Sequence, residues 1–264
     1  MRFVIKLLKW LLRPEYRKIF RVEQDLERIK QRKIESEIKK VVVDRNSFYI
    51  TNSASFYFMY KEIFLTEIYL FKKSSESGII IDAGANIGLS VIYFKTKFPN
   101  HKVIAFEPDN QIFKVLEQNV QHHGLKGVEL VNKALWNEKT VQSFASNLSD
   151  GGRIDGVGAV QIETTLLSEY LKEPVEMLKI DIEGAETKVI EECAPYLHHV
   201  RYLFVEYHSF VDEAQNLAYL LTLLKDSGFR VHITNPAFTS EQAFYNRRED
   251  FGMDMQLNIY CFRS

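Results

Sequence analysis

Hydrophobic and polar residues change their spacing repeatedly along the chain from Gly78 onward. Short runs rich in β-branched residues alternate with segments that carry apolar residues at helical intervals, and this alternation is typical of a parallel sheet covered by helices on both faces. The pattern predicts seven strands, at Ile79–Ile81, Lys102–Phe106, Val128–Val131, Met177–Ile180, Tyr202–Val205, Arg230–Ile233 and Gln256–Phe262. It predicts helices at Ile87–Phe98, Asn110–His123, Leu166–Leu171, Ala185–Tyr196 and Asp212–Ser227. We therefore expect an α/β fold with a seven-stranded, mostly parallel sheet.

The segment Thr140–Glu163 does not fit this alternation. It combines stretches of period two with the glycine-rich run SDGGRIDGVG, and it has no clear helical spacing. We predict a β-hairpin insertion with a mobile loop, which replaces part of the usual crossover between strands.

The chain before Gly78 has a different pattern. Residues 15–40 are dense in Glu, Lys and Arg with apolar residues at helical intervals, which predicts a solvated helix with a thin apolar seam or a short coiled coil. Val41–Val43 and Phe48–Ile50 predict two short strands, and Ala54–Lys73 predicts a helix, rich in Phe and Tyr, that covers the core as a lid. We divide the chain into a helical extension (1–40), strands and lid helix (41–77), and a main domain (78–264).

The first 13 residues predict a basic amphipathic helix. At about 100° per residue the four basic side chains share one narrow sector, opposite a wide apolar arc that includes Trp10. Lys6 and Lys9 interrupt the apolar stretch that a signal peptide requires, so we expect the segment to be retained. One interpretation is a helix lying on an anionic membrane surface. The other is a helix that docks on its own domain or on a second subunit.

Composition and charge narrow the class of protein. The 264 residues are 46% hydrophobic and 26% charged, as in globular proteins. Residues 1–40 carry 13 Lys and Arg against 6 Asp and Glu, whereas residues 41–264 carry 21 against 29, and this acidic body disfavours nucleic acid as a partner. Cys193 and Cys261 share no metal-binding or redox spacing, so we expect neither a disulfide framework nor a zinc site. A cytoplasmic protein, with a peripheral membrane contact under the first interpretation, fits these features.

Candidate binding residues follow the first two strands of the predicted sheet. The turn Asp82-Ala83-Gly84-Ala85-Asn86-Ile87-Gly88 joins a strand to a helix, but it lacks the G-x-G-x-x-G spacing of dinucleotide-binding turns. This absence argues against an NAD-linked oxidoreductase. An acid before the first glycine disfavours a pyrophosphate and suits a ligand with positive charge. Glu107 ends the second strand, 23 residues after Gly84, where a carboxylate binds ribose hydroxyls. Ribose together with a cationic group points to S-adenosylmethionine (SAM).

Candidate catalytic residues follow the fourth and fifth predicted strands. Asp181 should face the ligand crevice, and Glu206 and His208 lie at the same edge of the sheet. We favour His208 as the general base, because an unperturbed imidazole titrates near neutrality. Glu206, which projects to the same side of the strand, would orient His208 or bind a substrate hydroxyl. The three residues also suit a divalent metal ion, but spacing alone does not show that they converge, so we expect a metal-free site. Glu206 and His208 as simple strand-end residues remain an alternative.

Five segments of the sequence resemble one protein family when taken in order. The segments IIIDAGANIGLSVIYF, AFEPD, VNKALWN, LKIDIEGAE and LFVEYH are similar to motifs of the FkbM family of SAM-dependent methyltransferases, over roughly residues 75–235. The resemblance implies a class I, Rossmann-like methyltransferase fold and SAM as cofactor. It places the turn after the first strand at the methionine end, Glu107 at the ribose and Ala134-Leu135 at the adenine. The implied cofactor-binding residues are Asp82, Gly84, Ala85, Asn86, Gly88, Glu107, Pro108, Ala134, Leu135 and Asp181.

The resemblance also implies an activity. Family members are similar to O-methyltransferases that act on sugar or polyketide hydroxyls, so we expect methyl transfer to a hydroxyl of a sugar, glycolipid or polysaccharide precursor. The aromatic lid around Tyr57, Tyr60 and Phe64 would suit sugar rings, and the loop Asn147–Gly158 would influence substrate choice. The alternatives are a non-glycan small-molecule acceptor and a non-catalytic module of the same fold that docks partners or membrane. The oligomeric state is not predicted.

Overall fold

The computed structural model describes residues 14–145, 152–154, 160–235, 244–245, 249 and 252–263. No helix in these ranges is long and apolar enough to cross a membrane. The predicted amphipathic helix at residues 1–13 lies outside the described residues, as does most of the loop Asn147–Gly158. The interpretations of these two segments therefore stay predictions.

The described residues form thirteen strands and six α-helices. The strands are β1 (Glu35–Val43), β2 (Asn46–Asn52), β3 (Ile79–Ala83), β4 (Lys102–Phe106), β5 (Val128–Val131), β6 (Ala134–Leu135), β7 (Val141–Ala145), β8 (Arg153–Ile154), β9 (Val160–Thr165), β10 (Val175–Ile180), β11 (Val200–Phe210), β12 (Arg230–Thr234) and β13 (Met253–Phe262). The helices are α1 (Pro14–Gln31), α2 (Ser53–Tyr60), α3 (Leu89–Lys97), α4 (Asn110–His122), α5 (Glu186–Cys193) and α6 (Leu217–Asp226). A wider helical turn occupies Lys61–Leu65, and short 3₁₀-helices occupy Leu167–Tyr170 and Ala194–His199.

The main sheet has seven strands in the order β12-β13-β11-β10-β3-β4-β5. Six of these strands run in the same direction, and β13 runs antiparallel to its neighbours β11 and β12. All seven predicted strands are confirmed, because each lies within or overlaps one strand of this sheet. The chain leaves β3 for β4 on one side and returns to β10 on the other, so the strand order reverses at β3. In such sheets ligands bind beyond the carboxyl ends of the strands at the reversal point.

Helices cover both faces of the sheet. Because successive side chains of a strand point to opposite faces, neighbouring residues enter different cores. Ile80 and Phe204 point into one core, together with residues of α3 and α4 and of the N-terminal segment. Ile81 and Val205 point into a second core, which α5 and α6 complete. The residues before Gly78 therefore share a core with the predicted main domain.

The N-terminal extension differs from the prediction in two ways. Most of the predicted seam is buried within the chain itself, at Val22, Leu26 and Ile29, which pack into the first core, whereas Ile19 is exposed. The coiled-coil interpretation is therefore wrong. Residues 35–40 were expected to be helical, but they belong to β1, with Lys39 opposite Ile50 of β2. Antiparallel pairing with β2 supplies backbone hydrogen bonds that outweigh the helical preference of this charged segment.

The aromatic lid is shorter than the predicted helix Ala54–Lys73. Helix α2 ends at Tyr60, one wider helical turn follows, and residues 66–73 are not helical. The backbone of Glu67 takes a left-handed φ of 55°, and Tyr69 then packs edge-on against Phe204 of β11. Tyr57 and Tyr60 are only 9% and 6% exposed, so their rings belong to the core. The expectation that they offer faces to a sugar ring is not supported.

The predicted β-hairpin insertion is confirmed in the described residues. Strand β7 pairs antiparallel with β9 and with the short β8, and β9 also pairs in parallel with β6. These four strands form a small second sheet in the order β6-β9-β7-β8. Two residues separate β6 from the carboxyl end of β5, so the insertion follows directly from the edge of the main sheet.

Candidate functional site

The turn after β3 is held close to the two neighbouring strands. The backbone N–H groups of Gly84 and Ala85 both donate to the carbonyl oxygen of Phe106, at 3.1 and 2.8 Å. Gly84 has a left-handed φ of 86°, and a Cβ atom on it would lie 1.8 Å from the carbonyl oxygen of Asp181. Only glycine fits this position. The sequence-predicted glycine turn is thus packed directly against the end of β10.

Glu107, at the end of β4, lies beside this turn. Its carboxylate accepts hydrogen bonds from the backbone N–H groups of Asn86 and Asp109, both at 2.9 Å. Glu107 is 7% exposed. Burial raises the pKa of its carboxyl to about 7, although the two N–H groups favour the ionised form. The structure therefore joins the two predicted binding elements, the turn and the acidic residue, through a direct hydrogen bond.

Asp82 has a different position from the one predicted. Its side chain is fully buried, accepts a hydrogen bond of 2.5 Å from Ser90, and lies 3.3 Å from Nζ of Lys179. Asp82 thus has no surface with which to contact a cationic ligand, and Lys179 balances its charge. The prediction of direct cofactor contact is corrected: Asp82 supports the turn from within.

Lys179 connects the turn with the catalytic candidates, and the sequence reasoning missed it. Its ammonium group donates to the carbonyl oxygen of Gly84 at 2.6 Å and lies 3.2 Å from Oδ2 of Asp181. Burial would lower the pKa of Lys179, but Asp181 and Asp82 raise it, and the net shift is upward. Lys179 is therefore a buried cation between two carboxylates. Its position between Leu178 and Ile180 in a strand that was expected to be buried was the available signal, since a lysine is almost never buried without a partner.

Asp181, Glu206 and His208 converge at the carboxyl ends of β10 and β11. One polar atom from each lies within 4.8 Å of those of the other two. The side chain of Asp181 is 25% exposed, whereas those of Glu206 and His208 are 11% and 3% exposed. Burial and the charge of Asp181 raise the pKa of Glu206 well above its usual range. The three residues proposed from the sequence thus form one cluster with a partly open side at Asp181.

His208 is surrounded by carboxylates. Its Nδ1 donates to Oε1 of Glu186 at 3.0 Å, and its Nε2 lies 3.9 and 3.8 Å from Glu183 and Glu206. Burial would lower the pKa of His208, but the three carboxylates raise it, and the result lies well above the usual range. A histidine that holds its proton at neutral pH is a poor proton acceptor, so the arrangement does not favour His208 as the general base.

Glu186 is more than a first-turn helix acid. It is 1% exposed, and its Oε1 accepts from His208 and from the backbone N–H groups of Ile182 and Gly184, at 3.3 and 3.0 Å for the backbone pair. Glu186 therefore fixes both the loop after β10 and the imidazole ring. The sequence placed it on the right turn, but only the structure shows that it contacts His208 in the next strand.

The predicted adenine-side residues lie in the segment that follows β5 along the chain. Ala134 and Leu135 form β6 and are 5% and 3% exposed, so their side chains pack mainly within the protein. The amide of Asn132 donates to the carbonyl oxygens of Glu107 and Pro108, at 2.8 and 3.2 Å. Asn132 thus fixes the turn that carries the acidic residue, a role that its place in the VNKALWN segment did not reveal.

Comparison with known proteins agrees with the sequence motifs. The model of the family described as "Methyltransferase FkbM domain" matches residues 82–231. Methyltransferase 1 of Beauveria bassiana is 29% identical over 209 residues, which cover 68% of this chain and 83% of that protein. The hexuronic acid methyltransferase AglP of Haloferax volcanii is 24% identical over 195 residues, covering 72% of this chain and 75% of that protein.

One solved structure is also similar to this chain, at low sequence identity. The crystal structure of a methyltransferase FkbM from Methylobacillus flagellatus KT is 14% identical, with a TM-score of 0.48, and the match covers 93% of this chain and 59% of that one. The mostly parallel seven-stranded sheet with its single antiparallel strand is the class I methyltransferase fold that the sequence resemblance implied. Because the family model matches more than half of the chain, the protein belongs to the FkbM-domain family of methyltransferases.

Proposed function

We propose that this protein transfers a methyl group from SAM to a hydroxyl oxygen of a sugar-containing acceptor. The observation that carries the proposal is the arrangement at the reversal point of the sheet. There the glycine turn and Glu107 lie on one side, and the cluster of Asp181, Glu206 and His208 lies on the other, with Lys179 between them. A methyl donor and its acceptor need two adjoining subsites of this kind.

The residues at the glycine turn suit SAM. Gly84 lets the backbone approach without a side chain, and the carboxylate of Glu107 retains lone pairs that can accept from two ribose hydroxyls. The carboxylate of Asp181 is partly exposed beside the turn and favours a cationic ligand. When bound, SAM supplies an electrophilic methyl group on a sulfonium.

The protein's own contribution to the reaction is alignment and proton removal. A sugar hydroxyl must face the methyl carbon in line with the departing sulfur, and it must also lose its proton. Asp181 and Glu206 offer carboxylate oxygens at the open side of the cluster. We propose that Asp181 accepts the proton of the hydroxyl and that Glu206 binds the hydroxyl by a hydrogen bond, while His208 and Glu186 hold the loop between β10 and β11 in place.

The choice of a sugar acceptor is supported by the name of one relative, a hexuronic acid methyltransferase, and by the family resemblance. A non-catalytic module is disfavoured because the glycine turn, Glu107 and the carboxylate cluster are all present. The experiment is to incubate the protein with methyl-labelled SAM and three separate acceptor pools, namely glycans and glycolipids, protein, and nucleic acid. We expect label in the glycan pool only. Label in protein or nucleic acid, and none in glycan, would refute the choice of acceptor.

Two carboxylate variants test the role of Asp181 in this assay, one at Asp181 and one as a control. Asp181→Asn keeps the size of the side chain but removes the negative charge that we propose acts on the acceptor hydroxyl. We expect turnover to fall by about 10²- to 10⁴-fold. Glu169→Gln alters a surface carboxylate that pairs with Lys139, and it should transfer methyl groups at the wild-type rate. Equal rates for Asp181→Asn and wild type would remove Asp181 from the mechanism.

The pKa of Glu107 predicts how SAM binding depends on pH. The ionised carboxylate accepts from ribose hydroxyls, whereas the protonated acid loses most of this capacity. With a pKa of about 7, the ionised fraction falls about tenfold from pH 8 to pH 6. We therefore expect SAM affinity, measured by calorimetry, to weaken by up to about tenfold over this interval. Glu107→Gln should bind weakly at both pH values, and a wild-type affinity that does not vary between them would contradict the assignment.

A further inference from the structure

The cluster of Asp181, Glu206 and His208 has a geometry that the methyl-transfer mechanism does not need. Its polar atoms lie within 4.8 Å of one another. Nε2 of His208 lies 3.8 Å from Oε1 of Glu206 and 3.9 Å from Oε2 of Glu183. These distances are too long for hydrogen bonds. They are short enough for two of the atoms to lie at about 2.1 Å from one shared metal ion.

The orientation of His208 is the second observation. Its side chain is 3% exposed, and Nδ1 is fixed by a hydrogen bond to the buried Glu186 at 3.0 Å. Because an ionised carboxylate only accepts, Nδ1 carries the hydrogen and Nε2 is directed at the other carboxylates. A histidine that donates one ring nitrogen to a buried carboxylate, and presents the other to carboxylate ligands, has the arrangement found at protein metal sites.

The local charge also favours a cation. Four carboxylates belong to this region of the protein: Asp82, Asp181, Glu186 and Glu206. Within the part of the chain that the structure describes, Lys179 is the ammonium group that contacts them, at Asp82 and Asp181. Glu206, on the side that Nε2 of His208 faces, accepts a hydrogen bond from the amide of Gln256. This donor is neutral, so it does not balance the charge of the carboxylate.

We propose that Asp181, Glu206 and Nε2 of His208 bind one divalent transition-metal ion such as Mn²⁺ or Zn²⁺. Imidazole nitrogen together with carboxylate oxygen suits these ions better than Mg²⁺ or Ca²⁺, which prefer oxygen alone. Three protein ligands leave coordination positions open at the exposed side of Asp181. The ion would hold the acceptor hydroxyl in line and polarise it. This role rests on the proposed function, whereas the binding of the ion does not.

The test measures the ion directly, without SAM or acceptor. The full-length protein is stripped with a chelator and titrated with Mn²⁺ and with Zn²⁺ by calorimetry, and free Mn²⁺ is followed by electron paramagnetic resonance. We expect one saturable ion per chain. Asp181→Asn and His208→Gln should each weaken binding by at least about 100-fold, and Glu186→Gln, which removes only the support of the ring, by about 10- to 100-fold. Glu169→Gln, which alters a surface carboxylate that pairs with Lys139, serves as the matched control.

Thermal unfolding shows the conditions in which each variant is folded, and each variant is titrated only under those conditions. If Asp181→Asn fails to fold, Glu186→Gln and His208→Gln still test the site. If neither Mn²⁺ nor Zn²⁺ binds at one ion per chain, the proposal is overturned. Binding by folded Asp181→Asn and His208→Gln with wild-type affinity also overturns it. Since no methyl donor is present, a negative result leaves methyl transfer from SAM to be judged separately.

Discussion

Replacing Lys179 with methionine should lower the free energy of unfolding by roughly 3–5 kcal/mol, the usual effect of removing one partner from a buried ion pair. The side chain of Lys179 is 3% exposed, and its ammonium group lies 3.3 Å from Asp82 and 3.2 Å from Asp181. Methionine fills the space but leaves the fully buried carboxylate of Asp82 with only the hydroxyl of Ser90 as a close partner among the described residues. Unfolding in urea, followed by circular dichroism, measures the loss.

A second substitution tests whether the unpaired charge of Asp82 causes the loss of stability. In the double variant Lys179→Met with Asp82→Asn, the buried carboxylate is also removed, so we expect part of the lost stability to return. Lys172→Met changes an exposed lysine near the start of β10 and should shift the unfolding free energy by less than about 0.5 kcal/mol. An unchanged unfolding free energy in Lys179→Met would show that the buried ion pair does not hold the turn in place.

Replacing Gly84 with alanine should abolish SAM binding. The new methyl group would lie 1.8 Å from the carbonyl oxygen of Asp181, so the turn and the end of β10 must move apart. The left-handed φ of 86° adds roughly 1–2 kcal/mol of backbone strain. Both the cofactor turn and Asp181 would be displaced. SAM titration by calorimetry, together with thermal unfolding, measures the two effects.

Gly124 offers a matched control for this change. It also has a left-handed φ, of 59°, but a Cβ atom on it would have no neighbour within 4 Å. Gly124→Ala therefore carries the backbone strain without the overlap, and we expect near-normal SAM affinity with a modest loss of stability. If Gly84→Ala and Gly124→Ala bind SAM equally well, the close contact between the glycine turn and β10 has no part in cofactor binding.

Much of the fold could be predicted from the sequence because the sheet is buried on both faces. Strands β3 and β10 contain short apolar runs, Ile79–Ile81 and Met177-Leu178, that alternate along the chain with helical patterns, and this alternation marks them without tertiary information. The predictions were wrong where tertiary contacts outweighed local preference. Residues 35–40 pair with β2 instead of continuing a helix, and residues 66–73 leave the helix so that Tyr69 can enter the core.

The candidate site was predictable only in part, for a related reason. The order of strands brings every strand-end residue to one edge, so Glu107, Asp181 and Glu206 could be placed there from the motifs. Their partners could not be identified, because pairing across strands depends on register and side-chain direction. Lys179 lies between two apolar residues near the end of β10, and Glu186 lies in an ordinary helical turn. Their roles follow from contacts with Asp82 and His208, which no spacing in the sequence reveals.

Calorimetric titration of SAM into wild-type protein and into Glu107→Ala is the most direct test of the proposal that the glycine turn and Glu107 bind SAM. We expect one site per chain in the wild type. Loss of the charged acceptor for ribose should cost about 1.5–3 kcal/mol, which corresponds to at least about tenfold weaker binding. Glu129→Ala, which removes an exposed carboxylate of β5 paired with Lys102, should bind SAM as the wild type does. Absence of SAM binding by the wild type, or equal affinity in Glu107→Ala, would contradict the proposal.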